Sequence, residues 1–571
     1  MSVETSWFHS LRRRWLATCL LMLLIATALP VGAAPGLPTA KVEAALAQRL
    51  QEAGQAPALI FLAGQADLSQ AAYLVQKEAK GAFVYAQLQA FAERSQASLR
   101  AELAQAGVAY QAFLSVNMIY LPAADLTLVN DLAARDDVRW LTLDASFGID
   151  PSEQVTQPVD APAVISSGVN YIRAPQVWAM GIDGAGIVVA GGDTGVRWTH
   201  EALKPQYRGW NGVSADHTYS WHDAIHDGGA NPCGLNVPAP CDDYFHGTHT
   251  IGSVAGDDHS AVPASHDQVG VAPGAKWIAC RNMNGGVGTI SRYVECNDFF
   301  LAPGGDPGKQ PDVVNNSWGC PASEGCDAST WTQIQPSIQA LNAAGVMFVA
   351  SAGNDGGQGC GSINDPPAVY PESLTVGNFY DATGVISGSS SRGLRDFTGL
   401  FGPDVSAPGT SIRSATNSSD TAYSSASGTS MAGPHVAGLV ALMWQANPAL
   451  RGQILETAQY IRETATRVDN NTCGVLTPYP DPLDNRPTPN NVYGWGRIDA
   501  FNAVNAARCP ADVDYDGEID VRDVQLVAEI WNTQPGQLLY NARRNLDFND
   551  PAITAADVTV VANQWGNSCI G

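Results

Sequence analysis

The chain has 571 residues, too many for one hydrophobic core, and this length indicates roughly three or four folded units. Hydrophobic residues make up 45% and charged residues 15%, as in globular proteins. The formal net charge is −24, so we expect no nucleic-acid partner, because phosphate binding requires clustered Lys and Arg side chains.

The N-terminus has the pattern of a targeting segment. Three arginines (Arg12–Arg14) precede an apolar run over residues 15–29, and small residues follow at Val31–Ala34. Because the run is short and ends in small residues, it predicts a secretory signal peptide over residues 1–34 rather than a membrane span. A retained anchor is the alternative. No later segment is apolar enough to cross a bilayer, so we expect a secreted protein without membrane contact after signal cleavage.

The cysteines agree with export. One of the 11 cysteines, Cys19, lies in the predicted signal peptide, which leaves an even number. In a secreted chain this favours disulfides over buried thiols, although sequence alone does not determine connectivity. Sequence neighbours indicate three short loops, a fourth pair brackets the C-terminal region, and the remaining two cysteines can pair with each other: Cys233/Cys241, Cys280/Cys296, Cys320/Cys326, Cys509/Cys569 and Cys360/Cys473.

Residues 35–150 predict a small α+β unit. Strands and helices alternate in the order β-α-β-(β)-α-β, which is typical of a ferredoxin-like fold. The elements are a strand at Ala58–Phe61, a helix ending near Gly107, a β-rich run over 113–120, a helix over 125–135 and a strand at Val138–Leu143.

Residues 165–508 alternate short apolar runs with helical segments, which predicts a parallel sheet with helices on both faces. Ligands of such sheets bind beyond the carboxyl ends of the strands. The predicted buried strands are Ile187–Ala190, Trp277–Ala279, Val313–Val314, Val346–Ala350 and Leu374–Val376.

Two motifs follow early strands of this sheet. Asp193-Thr194-Gly195 comes directly after the first strand, where a carboxylate can be held against a histidine; an ordinary strand-end turn is the alternative. His246 and His249 open a predicted helix, and spacing alone does not say which of them acts. A zinc motif is not indicated, because the two histidines are three residues apart and the glutamate of the zincin motif is absent.

Two further motifs supply a nucleophile and a hydrogen-bond donor. Ser430 lies at the start of a predicted helix, where free N–H groups favour the negative charge that its attack on a carbonyl would create. Asn354, in the stretch Ser351–Asn354 after another strand, could donate to the same oxyanion. A helix-capping serine and a loop asparagine are the alternatives, and we expect His435 to be structural.

The order of these motifs limits the reaction class. Acid, base and nucleophile run in the order Asp193, a histidine (His246 or His249), Ser430, which is the order of subtilisin and not of chymotrypsin or the α/β-hydrolases. Ala432 stands where the nucleophile elbow of an α/β-hydrolase requires glycine, so an esterase of that type is disfavoured.

These four motifs resemble those of the subtilases, over about residues 165–505. The stretches Ala174–Ala179, Val271–Ala279 and Asp312–Gly319 are similar to the bacillopeptidase F branch. The resemblance implies a three-layer α/β subtilisin-like fold, peptide or protein substrates, and His246 rather than His249 as the base. It also implies that Ser317-Trp318-Gly319 pairs with the substrate backbone as an added strand.

Three expectations qualify this resemblance. Calcium in the peptidase domain is expected by family analogy, without a nameable site. Two insertions depart from the compact family pattern, one between Asp193 and His246 and one from Cys320 to Trp331, so specificity is not transferred. A catalytically inactive scaffold that serves as a binding protein is the alternative function.

The unit at 35–150 is similar in position and element order to subtilase propeptides, which act as intramolecular chaperones and inhibitors. We therefore expect a zymogen whose own propeptide inhibits it, with the cut between Asp144 and Ile172. A substrate-binding domain that stays attached is the alternative.

Residues 509–571 carry an internal repeat that predicts a small EF-hand-like α module. Four residues of the first half recur 34 positions later, among them Asp523 as Asp557 and Trp531 as Trp565. The first loop places oxygen ligands in the spacing that calcium requires, whereas the second is one residue short and has Pro551 at the turn. The module resembles a dockerin, which implies a cohesin-like partner. Predicted calcium ligands are Asp512, Asp514, Asp516, Glu518 and Asp523 in loop one, and Asp547, Asn549 and Asp557 in loop two.

Overall fold

The computed structural model describes residues 40–149, 155–156, 165–229, 231–320, 332–396, 398–476, 488–537 and 539–569. The predicted signal peptide and Cys326 therefore lie outside the described residues. Within those ranges, none of the helices combines the length and apolar character required to cross a bilayer.

The N-terminal unit is a four-stranded antiparallel sheet with helices. Its strand order is β2-β3-β1-β4, and Ile60 of β1 and Leu121 of β3 pack on one core with Leu99 and Leu103 of the long second helix. From the first strand onward the order is the predicted β-α-β-(β)-α-β, but a helix that was not predicted precedes that strand. The elements are α1 (Ala44–Ala53), β1 (Gln55–Leu62), α2 (Lys77–Gln105), β2 (Gln111–Ala112), β3 (Met118–Asp125), α3 (Leu126–Ala133) and β4 (Val138–Leu143).

The centre of the molecule is a seven-stranded sheet in which every strand pairing is parallel, in the order β15-β14-β13-β12-β7-β9-β8. The predicted parallel α/β sheet is thereby confirmed. Its strands are β7 (Val188–Asp193), β8 (Trp221–Asp223), β9 (Lys276–Arg281), β12 (Val313–Asn316), β13 (Met347–Ser351), β14 (Leu374–Phe379) and β15 (Val405–Pro408). The middle strands β12, β13 and β14 are buried throughout, as expected for a sheet covered on both faces.

Helices cover this sheet, and two small antiparallel sheets lie beside it. The helices are α4 (Ser167–Tyr171), α5 (Ala174–Trp178), α6 (His246–Ala255), α7 (Ile290–Leu301), α8 (Gln335–Ala343), α9 (Thr429–Ala446), α10 (Ile454–Thr464) and α11 (Ala500–Arg508). The small sheets contain β5 (Ser146–Gly148), β10 (Met283–Asn284) and β11 (Val287–Thr289), and β6 (Val155–Thr156), β16 (Ile412–Ala415) and β17 (Tyr423–Ala426).

Four disulfides join the cysteine pairs that the sequence groups together: Cys233–Cys241, Cys280–Cys296, Cys360–Cys473 and Cys509–Cys569. The first lies in the insertion before His246. Buried Arg281 holds the same insertion by donating to both oxygens of Asp223, each at 2.8 Å.

The N-terminal unit packs against the central sheet's helix α7. Gln111 donates to Glu295 at 2.8 Å, and the backbone N–H groups of Leu114 and Ser115 donate to Asp298 at 2.8 and 2.9 Å. Beyond that helix, the ammonium group of Lys80 donates to the carbonyl of Gly452 at 2.8 Å. The contact is therefore polar and directional as well as apolar.

The C-terminal module contains α12 (Val521–Ala528) and α13 (Ala555–Ala562), which pack together on a small core of their own. It docks on α10 through Arg543, which is only 1% exposed. That guanidinium stacks 3.9 Å above the Tyr515 ring and lies 3.8 Å from the Glu463 carboxylate on α10. Asn541 donates to the other oxygen of Glu463 at 2.7 Å.

At the N-terminal junction, two histidines share one carboxylate. The Nε2 atoms of His222 and His226 lie 2.6 and 2.8 Å from Glu295 Oε1. The hydrogen bond to Glu295 raises the pKa of His226 to about 9, against the opposing effect of burial. Burial raises the pKa of Glu295, but the two histidines outweigh it and lower that pKa to about 2.

This pair predicts a defined pH dependence. The pKa of His226 is raised in the folded state, so its contribution to the stability of the fold is complete below pH 6.5 and is lost as pH rises through 9. The pKa of Glu295 is lowered, so its contribution is complete above pH 4.5 and is lost as pH falls through 2. The parent chain for this test carries Ser430→Ala, which removes the predicted nucleophile. We expect its melting temperature to exceed that of its His226→Gln derivative most between pH 4.5 and 6.5. A difference that stays constant from pH 6 to 9 would contradict the assignment.

Candidate active site

The first polar side chain of the site ends strand β7. Asp193 is 3% exposed, and its carboxylate accepts hydrogen bonds from its neighbour's backbone N–H, at Thr194, and from the ring of His246. His246 Nδ1 lies 2.8 and 2.9 Å from the two carboxylate oxygens. A carboxylate in this position fixes both the orientation and the tautomer of the ring.

His246 is the first residue of α6, and the backbone of this helix closely approaches the segment that follows strand β7. A Cβ on Gly247 would overlap the carbonyl oxygen of Gly195, so only glycine permits this approach. Phe245, directly before His246, has φ 141°, a strained value for a residue with a side chain, and such strain is often found at functional sites.

A second carboxylate, Asp242, was missed by sequence reasoning. It is 8% exposed and accepts hydrogen bonds at 3.0 Å from the backbone N–H groups of Tyr244, Phe245 and Thr248, and at 2.9 Å from the Thr194 hydroxyl. It therefore joins the turn after β7 to the start of α6. Nothing in the sequence distinguishes it from Asp243, which instead pairs with Arg281.

The remaining histidines of the motifs are buried among apolar groups and backbone carbonyls. The Nε2 atom of His249 lies 3.0 Å from the carbonyl oxygen of Ile412, and burial lowers the pKa of His249 to about 3. His435 Nδ1 lies 2.9 Å from the carbonyl oxygen of Met431, and burial lowers its pKa to about 4. Of the two histidines that open α6, His246 is the one that contacts Asp193.

Ser430 lies in the first turn of α9, which packs against α6. The residues next to His246 and Ser430 in the chain, Phe245 and Met431, belong to one small buried cluster, so the starts of α6 and α9 lie close together. The Ser430 hydroxyl donates to the Ser317 carbonyl oxygen at 2.9 Å, and the Ser317 hydroxyl donates to that of Ser430 at 2.9 Å.

Asn354 is oriented by the residue that precedes Ser430. Its Oδ1 accepts hydrogen bonds from the backbone N–H of Thr429 at 2.9 Å and from the Thr429 hydroxyl at 3.1 Å. Because a backbone N–H only donates, the atom facing it must be the amide oxygen, and the amide nitrogen is the other end. The start of α9 thus fixes the orientation of the Asn354 amide, with its oxygen toward Thr429 and its nitrogen at the other end.

Ser317, Trp318 and Gly319 follow β12 at the same edge of the sheet. The Trp318 indole donates to the Gly192 carbonyl oxygen at 2.9 Å and stacks on Tyr293 with ring centroids 3.8 Å apart. Tyr293 in turn lies against Gly288 of β11. The predicted substrate strand and β11 therefore flank the same region.

Comparison with known proteins agrees with this geometry. The model of the Subtilase family matches residues 184–496, which is more than half of the chain and contains all four motifs. The chain belongs to the subtilase family. Its peptidase domain is accordingly of the subtilisin-type serine endopeptidase class.

Three subtilase relatives illustrate the extent of the similarity. Bacillopeptidase F of Bacillus subtilis (strain 168) is 36% identical over 365 residues, covering 62% of this chain and 23% of that protein. Extracellular protease of Xanthomonas campestris pv. campestris is 30% identical over 389 residues, covering 63% of each chain. Subtilisin DY of Bacillus licheniformis is 30% identical over 303 residues, 53% of this chain and 91% of that protein. The chain thus spans less than two thirds of the first two relatives.

This subtilase also carries the acidic loops of the C-terminal module. In loop one, Asp512, Asp514 and Asp523 each place a carboxylate oxygen within 4.8 Å of the others, whereas Asp516 and Glu518 lie outside that group. Asp512 Oδ1 is buried without a hydrogen-bond partner among the described residues. A buried oxygen of this kind fits a hard cation, so the loop is chemically suited to calcium.

Loop two differs from loop one. Asp557 accepts hydrogen bonds from the backbone N–H groups of Leu546 and Asp547 at 2.5 and 3.1 Å, as Asp523 does from those of Val513 and Asp514. Asp547 contacts Asn549, but in the described part of the module no second group of three acidic side chains converges. The second half of the repeat thus keeps the hydrogen bonds that close the loop, made to Asp523 in loop one and to Asp557 in loop two, but not the group of three carboxylates.

Proposed function

We propose that the chain is a secreted serine endopeptidase that hydrolyses peptide bonds in proteins through an acyl-enzyme. The observation that carries the proposal is the hydrogen bond between His246 Nδ1 and Asp193, in a subtilase chain whose Ser430 lies in the first turn of α9, the helix that packs against α6. Ser430 is the nucleophile, His246 the base, Asp193 its orienting group and Asn354 the oxyanion donor.

Each side chain has a defined step. Ser430 Oγ attacks the peptide carbonyl while His246 takes its proton, and His246 then donates that proton to the leaving amine. Water repeats the sequence to release the acid. Asp193 keeps His246 oriented and stabilises its protonated form. The Asn354 amide and the Ser430 backbone N–H stabilise the oxyanion, and the residues Ser317–Gly319 pair with the substrate backbone.

The first experiment separates this function from an inactive scaffold. Ser430→Ala should abolish casein hydrolysis, whereas Ser427→Ala, a matched neighbour whose hydroxyl accepts from the Ser411 backbone, should retain it. Asn354→Ala should lower kcat by about 10²–10³-fold with a smaller effect on KM, because it removes one oxyanion donor. Full activity of Ser430→Ala would refute the mechanism, and an Asn354→Ala effect confined to KM would assign that residue to substrate positioning.

We further propose that the N-terminal unit is an inhibitory propeptide. Its own C-terminal extension, β5, pairs antiparallel with β11 beside the predicted substrate strand, in the manner of a peptide added to a sheet edge. Asp144, just before β5, accepts hydrogen bonds at 3.0 and 2.6 Å from the N–H and hydroxyl of Ser291 in the first turn of α7. These contacts support an N-terminal unit that covers the proposed substrate-binding region until the chain is cut.

Maturation provides the second test. In a protease-free expression system, the Ser430→Ala precursor should keep residues 35–150 attached, while Ser427→Ala should lose them by a cut between Asp144 and Ile172. Intact-mass analysis measures both species. Efficient removal of the N-terminal unit from Ser430→Ala would show that the cut is not autocatalytic.

We also propose that the C-terminal module binds calcium at loop one, and that loop two binds calcium weakly or not at all. Asp512, Asp514 and Asp523 would hold the ion, which would supply a central positive charge for their oxygens. Arg543 donates at 2.6 Å to the Val513 carbonyl oxygen and also to that of Asp512, so the loop is joined through Arg543 to α10. A cohesin-like partner and calcium elsewhere in the peptidase domain stay predictions.

Calorimetry on the intact Ser430→Ala chain tests the calcium proposal. Asp512→Ala/Asp514→Ala should abolish one calcium-binding event, whereas Asp547→Ala in loop two should leave that event unchanged. Calcium should also raise the melting temperature of the chain with an intact loop one, because a ligand that binds the folded state stabilises it. Unchanged calcium heat after the loop-one substitutions would refute the site.

A further inference from the structure

A buried carboxylate that the proposed mechanism does not use lies between two segments next to Ser430. Asp365 is 6% exposed and belongs to the loop between β13 and β14. A Cβ built on Gly319 would overlap its Oδ2 atom, and a Cβ built on Gly353 would lie 3.2 Å from its Oδ1 atom. The carboxylate therefore lies in the space between these two glycines.

Gly319 lies on the side of Ser430 where the substrate backbone is proposed to bind. It ends the proposed substrate-pairing stretch, whose first residue, Ser317, accepts a hydrogen bond from the Ser430 hydroxyl at 2.9 Å. The next residue, Cys320, donates its N–H to the Pro366 carbonyl oxygen at 3.1 Å. This hydrogen bond attaches the stretch to the loop that carries the carboxylate.

Gly353 lies on the side of Ser430 where the oxyanion is proposed to bind. It directly precedes Asn354, the proposed oxyanion donor, and its N–H donates to the Thr429 hydroxyl at 3.2 Å. This segment packs on the loop of the carboxylate through a small apolar cluster: Ala352, Ile363 and Ala368. The carboxylate is thus held in a fixed relation to both segments.

The gap between the two glycines is suited to a substrate side chain. In the proposed mechanism, the substrate residue whose carbonyl is attacked lies between the substrate-pairing stretch and the oxyanion donor. Residues 319 and 353 are both glycines, so neither contributes a side chain that would fill the gap. A carboxylate in such a buried place attracts a positive charge and repels a negative one more strongly than it would in water.

We propose that Asp365 makes the protease selective for peptides with Lys or Arg as the residue whose carbonyl Ser430 attacks. The inference rests on the proposed endopeptidase function and adds its substrate class. The aliphatic stem of either side chain would pass between the glycines, and its charged head would bind the carboxylate. Arg can bind both carboxylate oxygens at once, whereas Lys binds as a point charge.

The linker that is predicted to be cut during maturation has no such residue. Residues 145–172 contain neither Lys nor Arg. A cut within one chain benefits from a high effective concentration of the scissile bond, which compensates for the missing side-chain contact. We therefore expect the linker to be cut within its own chain and to be a poor substrate when it is supplied as a separate peptide.

Peptide hydrolysis by the mature chain, from which the N-terminal unit has been removed, tests this selectivity. The substrates are tetrapeptide p-nitroanilides that differ only in the residue before the scissile bond, which is Arg, Lys, Phe, Leu or Glu. We expect kcat/KM to be at least about tenfold higher for Arg and Lys than for Phe and Leu, and lowest for Glu. Asp365→Asn removes the charge at nearly constant size and should abolish the preference, whereas Asp365→Glu should retain part of it.

Glu372→Gln is a matched control from the same loop. Its carboxylate accepts hydrogen bonds from the side-chain amides of Gln335 and Gln339 on α8, at 3.0 and 2.8 Å, so its substitution should leave the preference unchanged. Mass mapping of the casein fragments that the parent produces is a second readout that requires no variant. The cuts should lie after Lys and Arg.

The outcomes separate this inference from the proposed function. Casein cuts that lie mainly after apolar residues would overturn the selectivity and leave the endopeptidase assignment intact. An equal preference for Arg in the parent and in a folded Asp365→Asn chain would do the same. Hydrolysis of neither casein nor any of the peptides would overturn the proposed function, and this inference with it.

Discussion

The site depends on the hydrogen bond between Asp193 and His246. Two elements of different kinds must meet for it to form: the carboxyl end of β7 and the first turn of α6. Glycine at position 247 permits the backbone approach, and buried Asp242 joins both segments by hydrogen bonds. Ser317 follows β12 at the same edge of the parallel sheet, and it exchanges hydrogen bonds there with Ser430 at the start of α9.

The units on either side of the peptidase domain are attached to it by buried or partly buried charges. Lys77 pairs with Asp312 just before β12, and Asp298 accepts backbone N–H groups from the N-terminal unit. Arg543 does the same for the C-terminal module. Buried charges are costly unless paired, so these contacts favour defined docking over loose tethering. The proposed calcium loop is consequently coupled to α10, on the body of the peptidase domain.

Much of the fold follows from local sequence. Leu374–Val376 predicts a buried strand because it is a short apolar run bounded by polar residues, and the structure extends it to Phe379. The sequence leaves Cys360 and Cys473 as a possible pair without determining connectivity, and the structure joins them. Asp242 could not be predicted, because Thr194, one of its partners, is remote in sequence.

Chemical labelling of the nucleophile tests the central claim most directly. The sample is the chain from which the N-terminal unit has been removed, after it has been shown to hydrolyse casein. It would be treated with a serine-directed fluorophosphonate and digested for peptide mass mapping. The account predicts one label per chain, on Ser430, because the proposed mechanism pairs that serine with the base His246 and the oxyanion donor Asn354. A label on a different serine, or casein hydrolysis that persists with Ser430 unlabelled, would contradict it.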